Sequence, residues 1–267
     1  MKTMYLQDIY SYPIKSLGGV RLDQANLQER GLEHDRRWML VDKKGIFLSQ
    51  RKHPKMALLQ TQITDRGISV EEKNDPEQTV LVPFESESDR YKKVTIWEDR
   101  VDARVVDPGI SRWFSEFLEF DCDLVFMPPS TKRKLKPKYA VNGESVSFAD
   151  GMPYLLIGQS SLDELNSRLD IPVSMDRFRP NLVFSGGSPF QEDQWDTVTI
   201  GGSRFKITKP CARCVVTTVD QRTGQKGKEP LSTLSTFRNV GGKVMFGQNM
   251  LLLEGNQIQT GSPITFE

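Results

Sequence analysis

Short runs of β-branched, aromatic and aliphatic residues follow one another along this chain, and glycine, proline or small polar clusters close almost every one. That rhythm constrains the fold most. Runs of this length suit half-buried strands and are too brief for stable amphipathic helices. In the first half they are MYLQDIYSYPI (4–14), RRWMLVD (36–42), IFLSQR (46–51), LLQTQIT (58–64), GISVEE (67–72), TVLVPF (79–84) and KKVTIWED (92–99). Pro13 stops regular pairing, and Lys15-Ser16-Leu17-Gly18-Gly19 reads as a turn. Lys43-Lys44-Gly45 joins 36–42 to 46–51 as a hairpin. Strands so short and so closely spaced predict a small barrel or sandwich.

The period changes at 110–120, where Ile110, Trp113, Phe114, Phe117 and Leu118 form a helical apolar stripe. The stretch 127–141, MPPSTKRKLKPKYAV, is rich in proline and lysine and reads as a basic linker or loop. It is either a solvated surface segment or, over 127–138, a lid on an anionic ligand. Strand patterns return at 153–158, 179–187, 196–202, 203–210, 214–220, 243–254 and 257–267. A helix over 160–169 carries Ser161 and Glu164 at capping-box spacing, and a short helix covers 231–238. The expected fold is mainly β with a few short helices (α+β), as two β domains in contact, 1–126 and 127–267.

With 36 Lys and Arg against 35 Asp and Glu, the net charge is +1. That excludes nucleic-acid binding by bulk attraction to phosphate. No apolar run approaches the roughly 20 residues of a membrane span, and residues 1–16 carry no signal or transit pattern. A cytoplasmic location follows as the expectation. Three cysteines cannot make a disulfide framework, and two histidines, His34 and His53, are too few for histidine-rich metal chemistry.

Cys211-Ala212-Arg213-Cys214 is the sharpest local feature. A thioredoxin-like pair would sit at a helix N-terminus, whereas a β-type run, Val215–Val219, follows here. A structural zinc site lacks a second cysteine pair. A single thiolate beside Arg213 could ligate a soft or high-valent metal held mainly by an organic ligand. The plain alternative is two small apolar residues on a strand. Lys15-Ser16, His34-Asp35-Arg36-Arg37 and Arg177-Phe178-Arg179-Pro180-Asn181 place cations beside turns, where they can grip phosphate or carboxylate. Neither a Walker loop nor a nucleophile elbow is present.

Taken together, YPIKSLGG, HDRRWML, FRPNLVFSGG, PCARCVVTTVDQRTGQKGKEPLSTL and FGQN resemble the MOSC superfamily with its N-terminal β-barrel companion. The similarity runs along nearly the whole chain, toward YcbX-like proteins and the mitochondrial amidoxime-reducing component. The resemblance implies a molybdenum-cofactor (Mo-molybdopterin) oxidoreductase with the pterin held between the two domains. Cys214 would be the metal's protein ligand, with Cys211 at the non-ligand position. Lys15, Ser16, Arg36, Arg179, Asn181 and Arg213 would contact the cofactor, Asn181 and the backbone around 211–213 reading the pterin edge. Asp150 is a candidate for proton delivery, or simply a turn residue before Gly151. The implied substrates are N-hydroxylated small molecules: hydroxylamines, N-hydroxylated bases and amidoximes. Ala212, Asn249 and Met152 depart from the mitochondrial relative's residues. With Cys122 the one further cysteine, no iron–sulfur cluster is expected, so electrons would come from a separate flavoprotein reductase, ferredoxin or cytochrome. The lysines of 127–138 could dock such a partner. MOSC domains also terminate molybdenum cofactor sulfurases, whose pyridoxal-phosphate domain finds no room here. A cofactor or sulfur relay is therefore the second functional reading, and a purely structural β protein the third.

Overall fold

The computed structural model describes residues 3–85 and 88–267. The N-terminal half carries β1 (Tyr5–Ser11), β2 (Val20–Leu22), β3 (Gln24–Gln28), β4 (Gly31–Leu32), β5 (Trp38–Val41), β6 (Leu59–Ile63), β7 (Gly67–Glu72), β8 (Asp75–Pro83), β9 (Tyr91–Ile96), β10 (Asp99–Val105), α1 (Pro108–Leu118) and β11 (Asp123–Phe126). The C-terminal half carries β12 (Tyr154–Gly158), α2 (Gln159–Asn166), β13 (Leu182–Ser185), β14 (Thr197–Ile200), β15 (Ser203–Ala212), α3 (Leu231–Phe237), β16 (Asn239–Val240), β17 (Lys243–Glu254), β18 (Gln257–Gln259) and β19 (Ile264–Phe266). The architecture is mainly β, as its strand-length runs predict.

One nine-stranded sheet runs β19-β14-β15-β17-β12-β13-β1-β2, with β16 on β17. Only β12 and β13 pair in parallel; the remaining neighbours in this sheet are antiparallel. The first strand thus crosses into the C-terminal half, Ile9 opposite Leu182. A register shift between Leu6 and Asp8 lets Leu6 and Ile9 both turn inward, onto Tyr154, Leu156, Phe184 and Phe205. Smaller sheets, β5-β11-β10-β9 and β6-β7-β8, enclose separate cores of the N-terminal half. Helix α1 begins where Asp107 accepts Gly109 N at 2.7 Å and Ile110 N at 3.0 Å, with Pro108 in its first turn. Its buried Phe114, Phe117 and Leu118 face the same core as Trp38 and Leu40.

Six segments differ from expectation. Residues 46–51 are not a strand; Ile46 and Phe47 make only isolated bridges, to Thr95 and Val41. Strand β10, DRVDARV, hides behind the charges on its exposed face. Residues 257–267 split into β18 and β19. The 214–220 run is not a strand: Val215–Thr218 form one 3-10 turn with Cys214 as its N-cap. Thr217 and Thr218 donate their hydroxyls to the carbonyls of Cys214 and Val215, satisfying locally what a sheet would otherwise satisfy. The capping box also fails, because Ser161 Oγ donates to the buried Glu192 carboxylate, while Glu164 pairs with Arg168. Nor is 127–138 solvated throughout, since Arg133 and Leu135 are buried within it.

Candidate active site

Five segments meet where the halves touch. The chain leaving β1 bridges Ile14 to Trp38, so Lys15 and Ser16 face the segment that carries Arg36. Arg36 O in turn accepts Phe148 N at 2.8 Å, which draws 148–150 alongside. Pro180 leads into β13, setting Arg179 and Asn181 beside them, and the end of β15 delivers Arg213 and Cys214. All eight residues singled out from the sequence line the resulting cavity: Lys15, Ser16, Arg36 and Asp150 on one side, Arg179, Asn181, Arg213 and Cys214 on the other. Ala212, Met152 and Asn249 line it as well.

Lys15 Nζ is buried and donates to Phe148 O at 2.8 Å and to Asp150 Oδ1 at 2.6 Å. Burial lowers its pKa, and Asp150 opposes that shift. Asp150 lies deep among protein atoms, yet 68% of its side-chain surface is open. Desolvation pushes its pKa up, but the Lys15 ammonium, the hydrogen bond from Lys15, the Trp97 indole and Arg51 outweigh this and hold it below the usual carboxylate range. At neutral pH Asp150 is therefore ionised.

Arg36 pairs with the fully buried Asp35 through Nη1, which donates to both carboxylate oxygens at 2.7 and 2.8 Å, while Nη2 donates to Arg179 O at 3.1 Å. Arg179 donates Nη1 to Leu17 O at 2.7 Å. Both guanidiniums lie over the Tyr12 ring, 4.3 and 4.2 Å from its centroid. Burial brings Arg179 down to about 10, so it stays cationic. Ser16, Arg36 and Arg179 all have left-handed backbone, with φ of 70°, 49° and 53°. Non-glycine residues adopt this region at a cost, and such strain gathers at functional sites. Asn181 is committed to the scaffold: its amide donates to Tyr10 O and Asp35 and accepts Leu155 N.

Arg213 is not the cation beside Cys214. It donates to Cys211 Sγ at 2.9 Å and to Phe178 O at 2.6 Å. The guanidinium near Cys214 belongs to Arg51, whose Nη1 lies 3.9 Å from an exposed Sγ. His34 stacks on Phe84 and His53 packs against Phe120, and neither lines the cavity. Among the described residues, no three histidine, cysteine or carboxylate side chains converge as a metal site. Two cavity donors, Arg179 Nη2 and Arg213 Nε, are buried without any protein acceptor. Unsatisfied cationic donors of this kind fit an anionic group that brings its own acceptors.

Comparison with known proteins identifies this arrangement. Residues 3–121 match the MOSC N-terminal beta barrel domain and residues 143–265 the MOSC domain. Mitochondrial amidoxime-reducing component 1 of Xenopus laevis is 31% identical over 95% of this chain and 79% of its own length. The chain belongs to the MOSC family. The Mus musculus amidoxime-reducing component 1 is 30% identical, covering 96% of this chain and 80% of that protein. The molybdenum cofactor sulfurase of Arabidopsis thaliana is 34% identical over 91% of this chain, but the match spans only 32% of the sulfurase. No helix among the described residues of the MOSC protein is long and apolar enough to cross a membrane.

Sequence reading missed three residues that line or support the cavity. Arg51 ends a segment taken for a strand. Tyr12 sits beside Pro13 with nothing to mark it as a platform for two guanidiniums. Arg133, from the basic stretch, donates to Asp99 at 2.7 Å and to the carbonyls of Ser147, Ala149 and Asp150 at 2.9, 2.5 and 3.3 Å. It thereby holds the loop that carries Asp150. A buried arginine inside a lysine-rich run gives no periodic signal.

Proposed function

We propose that this MOSC protein is a molybdenum-cofactor oxidoreductase that reduces N-hydroxylated small molecules with electrons from a separate redox protein. One observation carries the proposal: a cavity with an exposed thiol, Cys214, also holds buried arginine donors that lack protein acceptors. An anionic pterin with its own phosphate and ring acceptors matches that donor set. The similarity to amidoxime-reducing components over about four-fifths of their length supports the substrate class.

In this reading residues 1–126 and 127–267 form two domains that close on the cofactor. Cys214 completes the metal's ligands, Arg36 and Arg179 hold the phosphate, and Ser16 and Arg213 contact the remainder. When bound, the cofactor supplies two-electron redox chemistry at its metal. Reduction of an amidoxime to an amidine consumes two electrons and two protons and releases water. Asp150, held ionised at neutral pH, has no proton to give, and its hydrogen-bonded partner Lys15 Nζ is the proton carrier of the pair in this reading. We therefore assign Asp150 to orienting Lys15 rather than to acid catalysis.

Protein made in a cofactor-competent host should contain stoichiometric molybdenum and reduce benzamidoxime with a chemical electron donor. Cys214→Ala should lower turnover at least ~100-fold while circular dichroism and Tm stay as in the wild type. Full activity in that variant would overturn the assignment of Cys214. The similarity to cofactor sulfurases favours a second reading, a cofactor or sulfur relay. A persulfide on Cys214 by mass spectrometry, with no turnover of loaded protein, would establish it.

A further inference from the structure

Arg51 differs from every other guanidinium that lines the cavity. Arg36, Arg179 and Arg213 each donate to a protein oxygen. Among the described residues Arg51 donates to none; its Nη1 lies 3.9 Å from Cys214 Sγ, and its charge acts on Asp150 without a hydrogen bond. It is held instead by aromatic faces, 4.3 Å from the Trp97 ring and 5.8 Å from that of Phe47. Stacking fixes the plane of the guanidinium and leaves its fork of donors unspent.

The support for this arrangement is itself strained. Trp97 occupies the first position of the two-residue turn between β9 and β10, with φ of 57°. Hairpins of this length favour glycine or asparagine there, because a bulky residue is disfavoured in the left-handed region. The indole is nonetheless kept there, 47% exposed, with Nε1 on Asp150 Oδ1 at 3.2 Å. A large aromatic held at a glycine position, half in solvent, contributes little core burial. Its visible result is to align Arg51 and Asp150 at the end of the cavity marked by Cys214.

We propose that Arg51 is the substrate-anchoring residue, its guanidinium donating to the N-hydroxyl oxygen of the substrate beside Cys214, with Trp97 as the residue that positions it. This rests on the reductase reading and deepens it. That reading places the metal at Cys214, so Arg51 stands at the reacting end, away from the Tyr12 platform where Arg36 and Arg179 gather. A donor fork aimed at an oxygen that gains negative charge as the N–O bond breaks stabilises that charge where it develops.

The test uses cofactor-loaded protein held oxidised, with no electron donor, so that binding is read without turnover. Calorimetric titration compares benzamidoxime with benzamidine, which lacks the hydroxyl. Wild type should bind benzamidoxime about tenfold or more tighter than benzamidine. Arg51→Gln should erase that difference with molybdenum content unchanged, and Arg51→Lys should restore part of it. Trp97→Gly should weaken benzamidoxime binding while leaving Tm equal or higher, an outcome that a merely structural tryptophan would not give. An unchanged preference in Arg51→Gln would overturn the proposal alone. Loss of molybdenum from that variant would reassign Arg51 to holding the cofactor and also overturn it. If loaded wild-type protein neither distinguishes the two ligands nor reduces benzamidoxime, the reductase reading falls and takes this inference with it.

Discussion

Tyr12 shows how a single residue can organise the cavity without reaching into its chemistry. Its ring is 1% exposed and carries two guanidiniums, while its hydroxyl is buried without a partner. Burial pushes the phenol's pKa up, so the group stays neutral. An orphaned buried hydroxyl costs about 1–3 kcal/mol, whereas loss of the ring would remove both the core packing and the platform. Tyr12→Phe should therefore match or exceed the wild-type Tm. Tyr12→Ala should lose roughly 3–5 kcal/mol in chemical denaturation and release Arg36 and Arg179. Gly19 belongs to the same arrangement: a Cβ there would lie 2.5 Å from Tyr12 Cε1, which explains the glycine that sequence reading took only for a turn. Chemical character was thus legible at this scale, since the cations and the thiol were named in advance. Pairing was not. Cys211, rather than Cys214, receives Arg213, because the chain beyond β15 turns Cys214 outward into a 3-10 cap that local β propensity cannot foresee.

Among the elements, most strands were legible because each buries alternate residues of a short apolar run. The errors cluster where side chains bond locally or across long gaps. Helix α2 shows this best. Its N-terminus is capped neither by Ser161 nor by Glu164 but by Glu192, which accepts Gly158 N at 3.1 Å and Ser161 Oγ at 2.9 Å from outside the helix. Glu192 is fully buried, and among the described residues no cation pairs with it. Burial raises its pKa above the ordinary value despite those hydrogen bonds. The fold therefore disfavours the ionised form. Its contribution to stability is greatest below the unfolded glutamate pKa and falls as pH rises through the raised value. Glu192→Gln keeps the shape and removes that dependence. In denaturant titrations the variant should gain on wild type as pH rises above the ordinary glutamate value, and the gap should close in acid. A gap independent of pH would show that Glu192 is no more than a neutral cap.

Across the whole molecule, the halves are joined by polar contacts that also build the site. Arg36 reaches Arg179 O, Arg179 reaches Leu17 O, and the buried amides of Gln50 and Gln221 bond each other reciprocally at 3.1 and 2.9 Å. These partners lie more than 140 positions apart, beyond any local pattern; the resemblance of separated motifs brought Arg36 and Arg179 together in advance, but nothing brought Gln50 to Gln221. The Lys15–Asp150 pair is a junction of this kind that titrates in acid. Asp150 is held below its ordinary value, so its stabilisation is present above about pH 4 and is lost as pH falls through the lowered pKa. Lys15 is lowered by burial, so its cost is relieved only in alkali; both groups make stability rise with pH, in separate windows. Asp150→Asn should destabilise at pH 6 by about 1–3 kcal/mol, since it keeps an acceptor for Lys15 but leaves the buried ammonium without a counter-charge. That difference should shrink only as pH falls through the lowered Asp150 pKa, where the wild-type carboxylate is also neutralised. Lys15→Met combined with Asp150→Asn should recover most of the loss, because it removes the buried ammonium together with its exposed counter-charge. Simple addition of the two single-variant losses would mean that the carboxylate and the ammonium are not coupled, and that the seam is closed by the arginines and glutamines alone.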